Sequence, residues 1–206
     1  MKRAKLVTTF GAVALIGAIG IGSTFAYLSD KTDTVKNTFT VGDVSFDDDF
    51  GAGLMESEVK REDGKYVDAD GENTWTSTGN SYEDLAPAET VYKDPTIKIA
   101  DDSEDAWVFA KVVYDSAYYA EIEWNTTEWK IVEEKDGYVI LAKTDIVKED
   151  AAVKTSTIFT SVTLVTDLPA DEQGNVTMPD ITISAYAIQA AGFDTYEAAM
   201  SEVSFE

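Results

Sequence analysis

Carboxylates are the side chains best able to carry chemistry in this chain, because its 206 residues include 39 Asp and Glu but no His and no Cys. The lack of His removes the usual general base and the commonest metal ligand. The lack of Cys removes a thiolate nucleophile. A Ser-His-Asp triad and a zinc-protease helix with two His residues are therefore excluded. A zinc site would need carboxylates alone, although zinc prefers nitrogen and sulfur ligands.

Two kinds of carboxylate chemistry stay open. A pair of acids about 5–10 Å apart can cleave a glycoside, but no pair stands out among so many acidic residues. Calcium takes carboxylate and carbonyl oxygens, and the candidate ligands lie at residues 47–49, 68–72 and 101–105. None of these has EF-hand spacing, and a solvated acidic loop is the favoured interpretation of each. We therefore assign no catalytic, cofactor-binding or metal-binding residue, and calcium is the one cofactor that the composition leaves open.

Tryptophans offer a further kind of site. Trp107, Trp124 and Trp129 could line a sugar-binding face. In strands of this composition such large rings belong more often to the core. We therefore expect core positions for all three.

The first 26 residues have the layout of a secretory signal peptide. Three basic residues precede an apolar run at residues 10–21, and Thr24 and Ala26 occupy the −3 and −1 positions of a cut before Tyr27. A positive start, an apolar stretch of about 7–15 residues and small residues at the cleavage site define such a signal. We expect a signal peptidase to cleave there, so that the mature chain contacts a membrane only during export.

An uncleaved membrane anchor is the alternative for the same segment. A spanning helix needs about 20 mainly apolar residues, and residues 6–26 reach that length but include four Gly. Glycine weakens a helix interior, which favours cleavage.

Charge excludes several partners. The formal charge is −23 over the whole chain, and it becomes −26 after residue 26, because removing three basic residues from 16 leaves 13 against 39 acidic ones. Such a surface repels nucleic acid and anionic lipid. It also opposes self-association, so assembly would require strong local contacts or cations. The negative charge is open to two interpretations: it keeps a secreted protein soluble, or it makes the protein respond to cations.

The rest of the chain predicts an all-β fold. Val, Ile, Thr and aromatic residues dominate its periodic segments, and such residues favour strands. About eight strands separated by turn signals indicate a two-sheet sandwich. The main strands are predicted at residues 90–99 with a break at 94–95, then at 106–114, 129–134, 138–143, 156–166 and 180–189. A short helical turn is predicted at 118–123. A capping box at residues 194–197 is predicted to open a short C-terminal helix that runs to Val203.

Three units follow from this pattern. Residues 1–26 are the signal, residues 27–46 form a separate N-terminal strand segment, and residues 47–206 form the sandwich domain. Residues 47–84 of that domain are predicted to be an irregular insertion, with a small hairpin turning at residues 63–64. The 27–46 segment alternates, with Val35, Phe39 and Val41 on one face, and no Cys supports the fold.

Several segments together resemble a known family. They read Gly-Ser-Thr-Phe-Ala-Tyr-Leu-Ser-Asp at residues 22–30 and Asn-Thr-Phe-Thr-Val-Gly at 37–42, with further matches at 85–87, 93–95 and 185–193. This pattern resembles the TasA/camelysin-like proteins that Gram-positive bacteria export through the specialised signal peptidase SipW. Residues 47–84 match nothing in that family.

The resemblance implies a jelly-roll-like β-sandwich secreted to the cell surface or the biofilm matrix. In fibre-forming members, the strand freed by signal cleavage is donated to the next subunit. Here Val35, Phe39 and Val41 would fill the groove of a neighbouring copy, which is β-strand addition with a non-closing, filament-forming contact. The implied partners are other copies of the chain and an accessory matrix protein.

Camelysin-like members also carry a metallo-endopeptidase label. A metal-dependent surface peptidase is therefore an alternative, although this chain has no His to support it. A monomeric surface module that binds a carbohydrate or a protein partner is a third interpretation.

Overall fold

The chain forms an all-β sandwich with one short helix near its C-terminus, which confirms the predicted fold class. The computed structural model describes residues 29–31 (backbone), 44–69, 74–172 and 174–205. The described strands are β1 Ser29–Lys31, β2 Leu54–Ser57, β3 Val59–Glu62, β4 Lys65–Asp68, β5 Trp75–Thr76, β6 Thr90–Tyr92, β7 Thr96–Lys98, β8 Ala106–Val113, β9 Tyr119–Trp124, β10 Trp129–Lys135, β11 Tyr138–Lys143, β12 Thr155–Thr157, β13 Phe159–Leu164 and β14 Thr182–Gln189. Helix α1 is Tyr196–Met200, and a short 3-10 helix, Gly51–Gly53, precedes β2.

One layer is a five-stranded antiparallel sheet in the order β1-β14-β8-β11-β10. The apolar strand β8 lies at its centre, as its composition predicts, and pairs along its length with β14. Strands β10 and β11 form the predicted hairpin around Gly137, whose φ of 87° suits a tight turn.

The second layer is built on one long ladder interrupted at Pro95. β6 pairs with β13, and β7 pairs with β12. Thr90 opposes Thr163 and Lys98 opposes Thr155, so both halves share a single register. Proline has no N–H to donate to a ladder, which explains the break that the sequence predicts. β9 flanks β13 on one side, while β2 and then β5 extend the layer beyond β7.

The main core lies between these layers. Its members are inward-facing apolar residues of both sheets: Ala106, Val108, Ala110, Val112, Val139, Leu141, Ala185 and Ala187 from the first, and Val91, Ile97, Ile122, Ile158, Phe159 and Val162 from the second. Trp129 also belongs to this core, and Trp124 packs edge-on against Phe159 with ring centroids 5.5 Å apart.

A second, smaller core covers the outer face of the first sheet. Trp107 and Phe109 of β8 pack there with Tyr186 and Ile188 of β14 beneath the segment at residues 190–205. Thr195 caps α1, because its Oγ1 accepts a hydrogen bond from the N–H of Ala198 at 3.3 Å. The helix ends at Met200 rather than at Val203. All three tryptophans predicted for the core therefore pack against buried clusters.

One sequence-based prediction was wrong and a second was incomplete. The helical turn expected at residues 118–123 is strand β9, which pairs with β13 and buries Ile122. The region at residues 47–84 is not simply an irregular insertion, since β2 within it pairs with β7 as part of the second layer. The hairpin predicted at residues 63–64 is confirmed as β3–β4.

Val44 and Phe46, at the end of the predicted N-terminal segment, belong to this chain's own core. Val44 and Phe46 are 7% and 4% exposed, and Phe46 forms an isolated β-bridge with Ile99. Gly53, at φ 87°, packs directly on Phe46. The predicted N-terminal segment at residues 27–46 therefore includes, at its end, two residues that belong to the sandwich core.

Candidate strand-acceptor site

The candidate site begins at the edge of β14. On one side β14 pairs with β8, and on the other it pairs with β1 over three residues, from Ser29 opposite Ile188 to Lys31 opposite Tyr186. Among the described residues, the first part of β14, at residues 182–184, has β8 as its only strand neighbour. Backbone groups at such an edge are a template for another strand.

A groove of about 610 Å³ lies beside this part of β14. Its lining is mixed, with more polar than apolar surface. The apolar side chains come from both layers and the segments beside them: Leu85, Val91, Val162, Leu164, Ile181 and Ile183. A strand edge beside a groove that carries apolar side chains is suited to β-strand addition, in which side chains of alternate residues enter the groove.

Tyr119 supports one wall of the groove. Its hydroxyl donates a hydrogen bond to the carbonyl oxygen of Pro179, in the segment that leads into β14. Burial, aided by the negative charges of Asp180 and Asp115, raises the pKa of Tyr119, so the phenol stays protonated at neutral pH.

Tyr82 also lines the groove. Its hydroxyl donates to the carbonyl oxygen of Tyr92 at 2.9 Å, which ties the loop at residues 77–85 to β6. Burial, followed by the negative charges of Glu56 and Asp94, raises the pKa of Tyr82. This hydroxyl therefore also remains a donor.

One end of the groove is polar and nearly buried. Glu56 is 5% exposed and forms an ion pair with Lys93 through Oε2. Its Oε1 accepts hydrogen bonds from the backbone N–H of Asn80 at 2.8 Å and from Asn80 Nδ2 at 3.0 Å. These contacts fix the loop at residues 77–85 against β2.

A second buried carboxylate lies beside this group. Asp94 accepts hydrogen bonds from the backbone N–H and the hydroxyl of Ser57, at 2.8 and 2.7 Å, and from the hydroxyl of Tyr92 at 2.9 Å. Burial and the hydrogen bond to Asp94 raise the pKa of Tyr92 to about 12. Sequence reasoning assigned no buried role to Asp94 or Glu56, because Ser57 and Asn80, which bind them, are remote from them in sequence.

The acidic segments considered for calcium have other partners. Asp47 forms an ion pair with Lys98 at 2.6 Å and accepts a hydrogen bond from the N–H of Asp49 at 2.9 Å. Asp105 accepts one from the N–H of Glu149 at 2.7 Å. Of the segment at 68–72, only residues 68 and 69 are described. Within the described ranges, no group of three or more acidic side chains is arranged to hold a metal ion.

The site residues predicted from the sequence lie outside the described residues. This applies to Thr24, Ala26 and Tyr27 at the expected cleavage point, and to Val35, Phe39 and Val41 of the donor face. In the part of the chain that is described, no helix is long and apolar enough to cross a membrane.

No protein-family model, curated protein sequence or solved structure matches this chain significantly. The resemblance to TasA/camelysin-like proteins therefore stays a prediction.

Proposed function

We propose that this chain is a secreted structural protein, the subunit of an extracellular fibre or biofilm matrix, which assembles by N-terminal strand donation after signal cleavage. The observation that supports the proposal is the groove beside the first part of β14, whose mixed lining includes the apolar side chains of Leu85, Ile181 and Ile183. Its occupant is the segment at residues 32–43 of a second copy, which carries Val35, Phe39 and Val41 on one face. Cell-surface or matrix localisation follows from the predicted signal.

The register of β1 supports an occupant from another copy. Continuing that register one residue at a time from the pair Lys31 and Tyr186 would place Thr34 opposite Ile183 and Val35 opposite Thr182. Ile183 packs against the main core, and directly opposed residues share a face of the sheet. In that register the polar face of the segment, which includes Thr34, would point toward the groove. Shifting the register by an odd number of residues would turn the apolar face, with Val35, Phe39 and Val41, toward the groove instead. A strand from a second copy is free to adopt the shifted register.

Chain length permits the exchange. Residues 32–43 span up to about 40 Å when extended, at roughly 3.3 Å per residue. Because Val44 and Phe46 hold the following residues in the core, the segment can leave its own domain without unfolding it. Donation also requires that β1 leave the edge of β14, since an incoming strand extending past Ala185 would need the same backbone groups.

Backbone pairing and apolar insertion would supply the local attraction that the charge of the mature chain opposes. The mature chain carries 13 basic and 39 acidic residues after the three basic residues of the leader are removed. Long-range repulsion between like-charged subunits is screened at physiological ionic strength over about 8 Å. Contacts within the groove act inside that distance.

Deletion of residues 27–41 tests the proposal. We expect the purified variant to remain folded by circular dichroism but to form no filaments in electron microscopy under conditions where the chain that starts at Tyr27 does. Unchanged filaments would refute strand donation.

A pair of face-matched variants sharpens the test. Replacing Val35, Phe39 and Val41 by Ser should abolish filaments, because it removes the apolar face. Replacing Thr34, Thr38 and Thr40 by Ser changes the opposite face and should leave filaments intact. Equal effects of the two variants would contradict the proposed facing of the strand.

A further inference from the structure

Two polar side chains at the polar end of the groove, Lys93 and Asn80, contact the same buried carboxylate, Glu56. The Glu56 carboxylate contacts Lys93 Nζ through Oε2 and Asn80 Nδ2 through Oε1, the latter at 3.0 Å. An amine and a carboxamide are thus held on the two oxygens of one carboxylate. The side chains of Glu56 and Lys93 are only 7% and 13% exposed.

The orientation of the Asn80 amide follows from its partners. Its Oδ1 accepts a hydrogen bond from the backbone N–H of Val59 at 3.0 Å, and its Nδ2 also donates to the carbonyl oxygen of Ser57 at 2.8 Å. All three partners require the same assignment of oxygen and nitrogen. The Val59 N–H therefore lies where negative charge would develop on Oδ1 during attack on Cγ, as in an oxyanion hole.

We propose that Lys93 and Asn80 become joined by an intramolecular isopeptide bond, with Glu56 as the proton carrier. Glu56 accepts a proton from the Lys93 ammonium group, and the free amine attacks Asn80 Cγ. The tetrahedral intermediate then breaks its Cγ–Nδ2 bond, while a proton passes through Glu56 to the departing nitrogen. A new Nζ–Cγ amide forms, ammonia leaves, and no oxidant or other reactant is needed.

The surroundings favour this reaction over simple hydrogen bonding. Burial strengthens the effect of a positioned carboxylate and excludes competing water. Holding both reactants on one side chain lowers the entropic cost of their encounter. Glu56, Asn80 and Lys93 all line the groove, which gives ammonia a route to solvent. The bond would tie the loop at residues 77–85 covalently to the strand at β6 and β7.

Intact-mass measurement of the purified chain tests the inference. We expect a mass lower than the sequence mass by one molecule of ammonia. Trypsin should fail to cut after Lys93 and should yield a peptide of residues 66–98 that is lighter by the same amount. Fragmentation within residues 80–93 should be suppressed, because that stretch is a closed ring.

The cleavage pattern separates the cross-link from cyclisation of Asn80 with its own backbone. That side reaction also releases ammonia, but it leaves Lys93 open to trypsin. Lys98 is the internal control, because it also forms an ion pair with a carboxylate, that of Asp47, at 2.6 Å. The described partners of the Asp47 carboxylate are Lys98 and backbone N–H groups, and they include no carboxamide. Normal cleavage after Lys98 is required to release the peptide.

Two variants probe the roles of the amine and the carboxylate. Lys93→Arg retains a cation but removes the nucleophile, and Glu56→Gln retains the shape of the side chain but cannot carry the proton. Both should show the full sequence mass. The inference is overturned if the chain without substitutions has its full mass and is cut after Lys93. It is also overturned if either variant still loses ammonia and resists trypsin after residue 93.

Discussion

Trp107 donates a hydrogen bond from Nε1 to the carbonyl oxygen of Phe193 at 3.2 Å. This contact joins the central strand of the first sheet to the segment that covers its outer face. Phe193 itself is 7% exposed and packs in the same cluster as Trp107. The C-terminal segment is therefore an integral part of the fold rather than a loose tail.

Replacing Trp107 by Phe should destabilise the protein by about 1–3 kcal/mol, because it removes a buried hydrogen bond and part of a buried ring. Urea unfolding measures the loss. Trp75→Phe is the control, since Trp75 is half-buried and packs edge-on against Phe50, a contact that a phenyl ring can partly retain. Its cost should be under about 1 kcal/mol, and equal costs would contradict the role given to the Phe193 contact.

Alanine substitutions at Gly53 and Gly64 distinguish the cost of steric overlap from the cost of backbone strain. Both have positive φ, 87° and 79°, but a Cβ on Gly53 would overlap Phe46 while a Cβ on Gly64 would meet nothing within 4 Å. Gly64→Ala should cost about 1–2 kcal/mol through its backbone conformation alone. Gly53→Ala should cost about 1–3 kcal/mol more through overpacking. Thermal unfolding of the two variants gives the difference, and similar midpoints would argue against tight packing around Phe46.

Acid stability should depend on Asp47. The hydrogen bond from Lys98 lowers the pKa of Asp47 below its ordinary value of 3.8. A carboxylate whose pKa is lower in the folded chain stabilises the fold above its unfolded pKa and loses that contribution as the pH falls through its folded pKa. Asp47→Asn should therefore be less stable than the parent at neutral pH, and its stability should fall less below pH 3.8.

Urea unfolding at neutral pH and at about pH 3 measures this dependence. Asp48→Asn is the matched control, because Asp48 is an exposed neighbour of Asp47. It should follow the parent curve. If Asp47→Asn loses as much stability between neutral and acid pH as the parent does, the Asp47–Lys98 ion pair is not the source of the parent's acid sensitivity.

Filament formation should respond to charge screening. Because the subunits carry a large excess of acidic residues, raising the salt concentration or lowering the pH toward about 4–5 should accelerate assembly. Light scattering and electron microscopy follow the rate. The variant lacking residues 27–41 should form no filaments under either condition, and acceleration of that variant would indicate a different, non-specific association.

The predictable part of the fold is the part with local signals. Alternation and apolar runs located β8, the β10–β11 hairpin and β14, and Pro95 marked the interruption of the long ladder. Strand β9 was missed because its pairing with β13 is irregular between Thr163 and Leu164. That irregularity puts Tyr119 out of phase with Ile122 and Trp124, so the segment shows no period of two.

The candidate site was less predictable, since its parts meet only in three dimensions. Glu56 and Asp94 are charged residues in strand-like surroundings, and neither has a local pattern that indicates burial. Their partners, Asn80, Lys93 and Ser57, come from different segments of the chain. The groove needs both layers of the sandwich to be in place, whereas sequence periodicity describes one strand at a time.

The position of Phe46 has a mechanical consequence for a fibre built by strand donation. Each subunit would be linked to the next through residues 32–43. This linking segment is followed by Val44 and Phe46, which are buried in the core of their own domain, and Phe46 also forms a β-bridge with Ile99. Pulling on the fibre would apply shear between the donated strand and β14 at one end of the linking segment. At the other end it would load the buried residues Val44 and Phe46. Stretching single fibres should therefore show rupture at subunit junctions before any domain loses its shape.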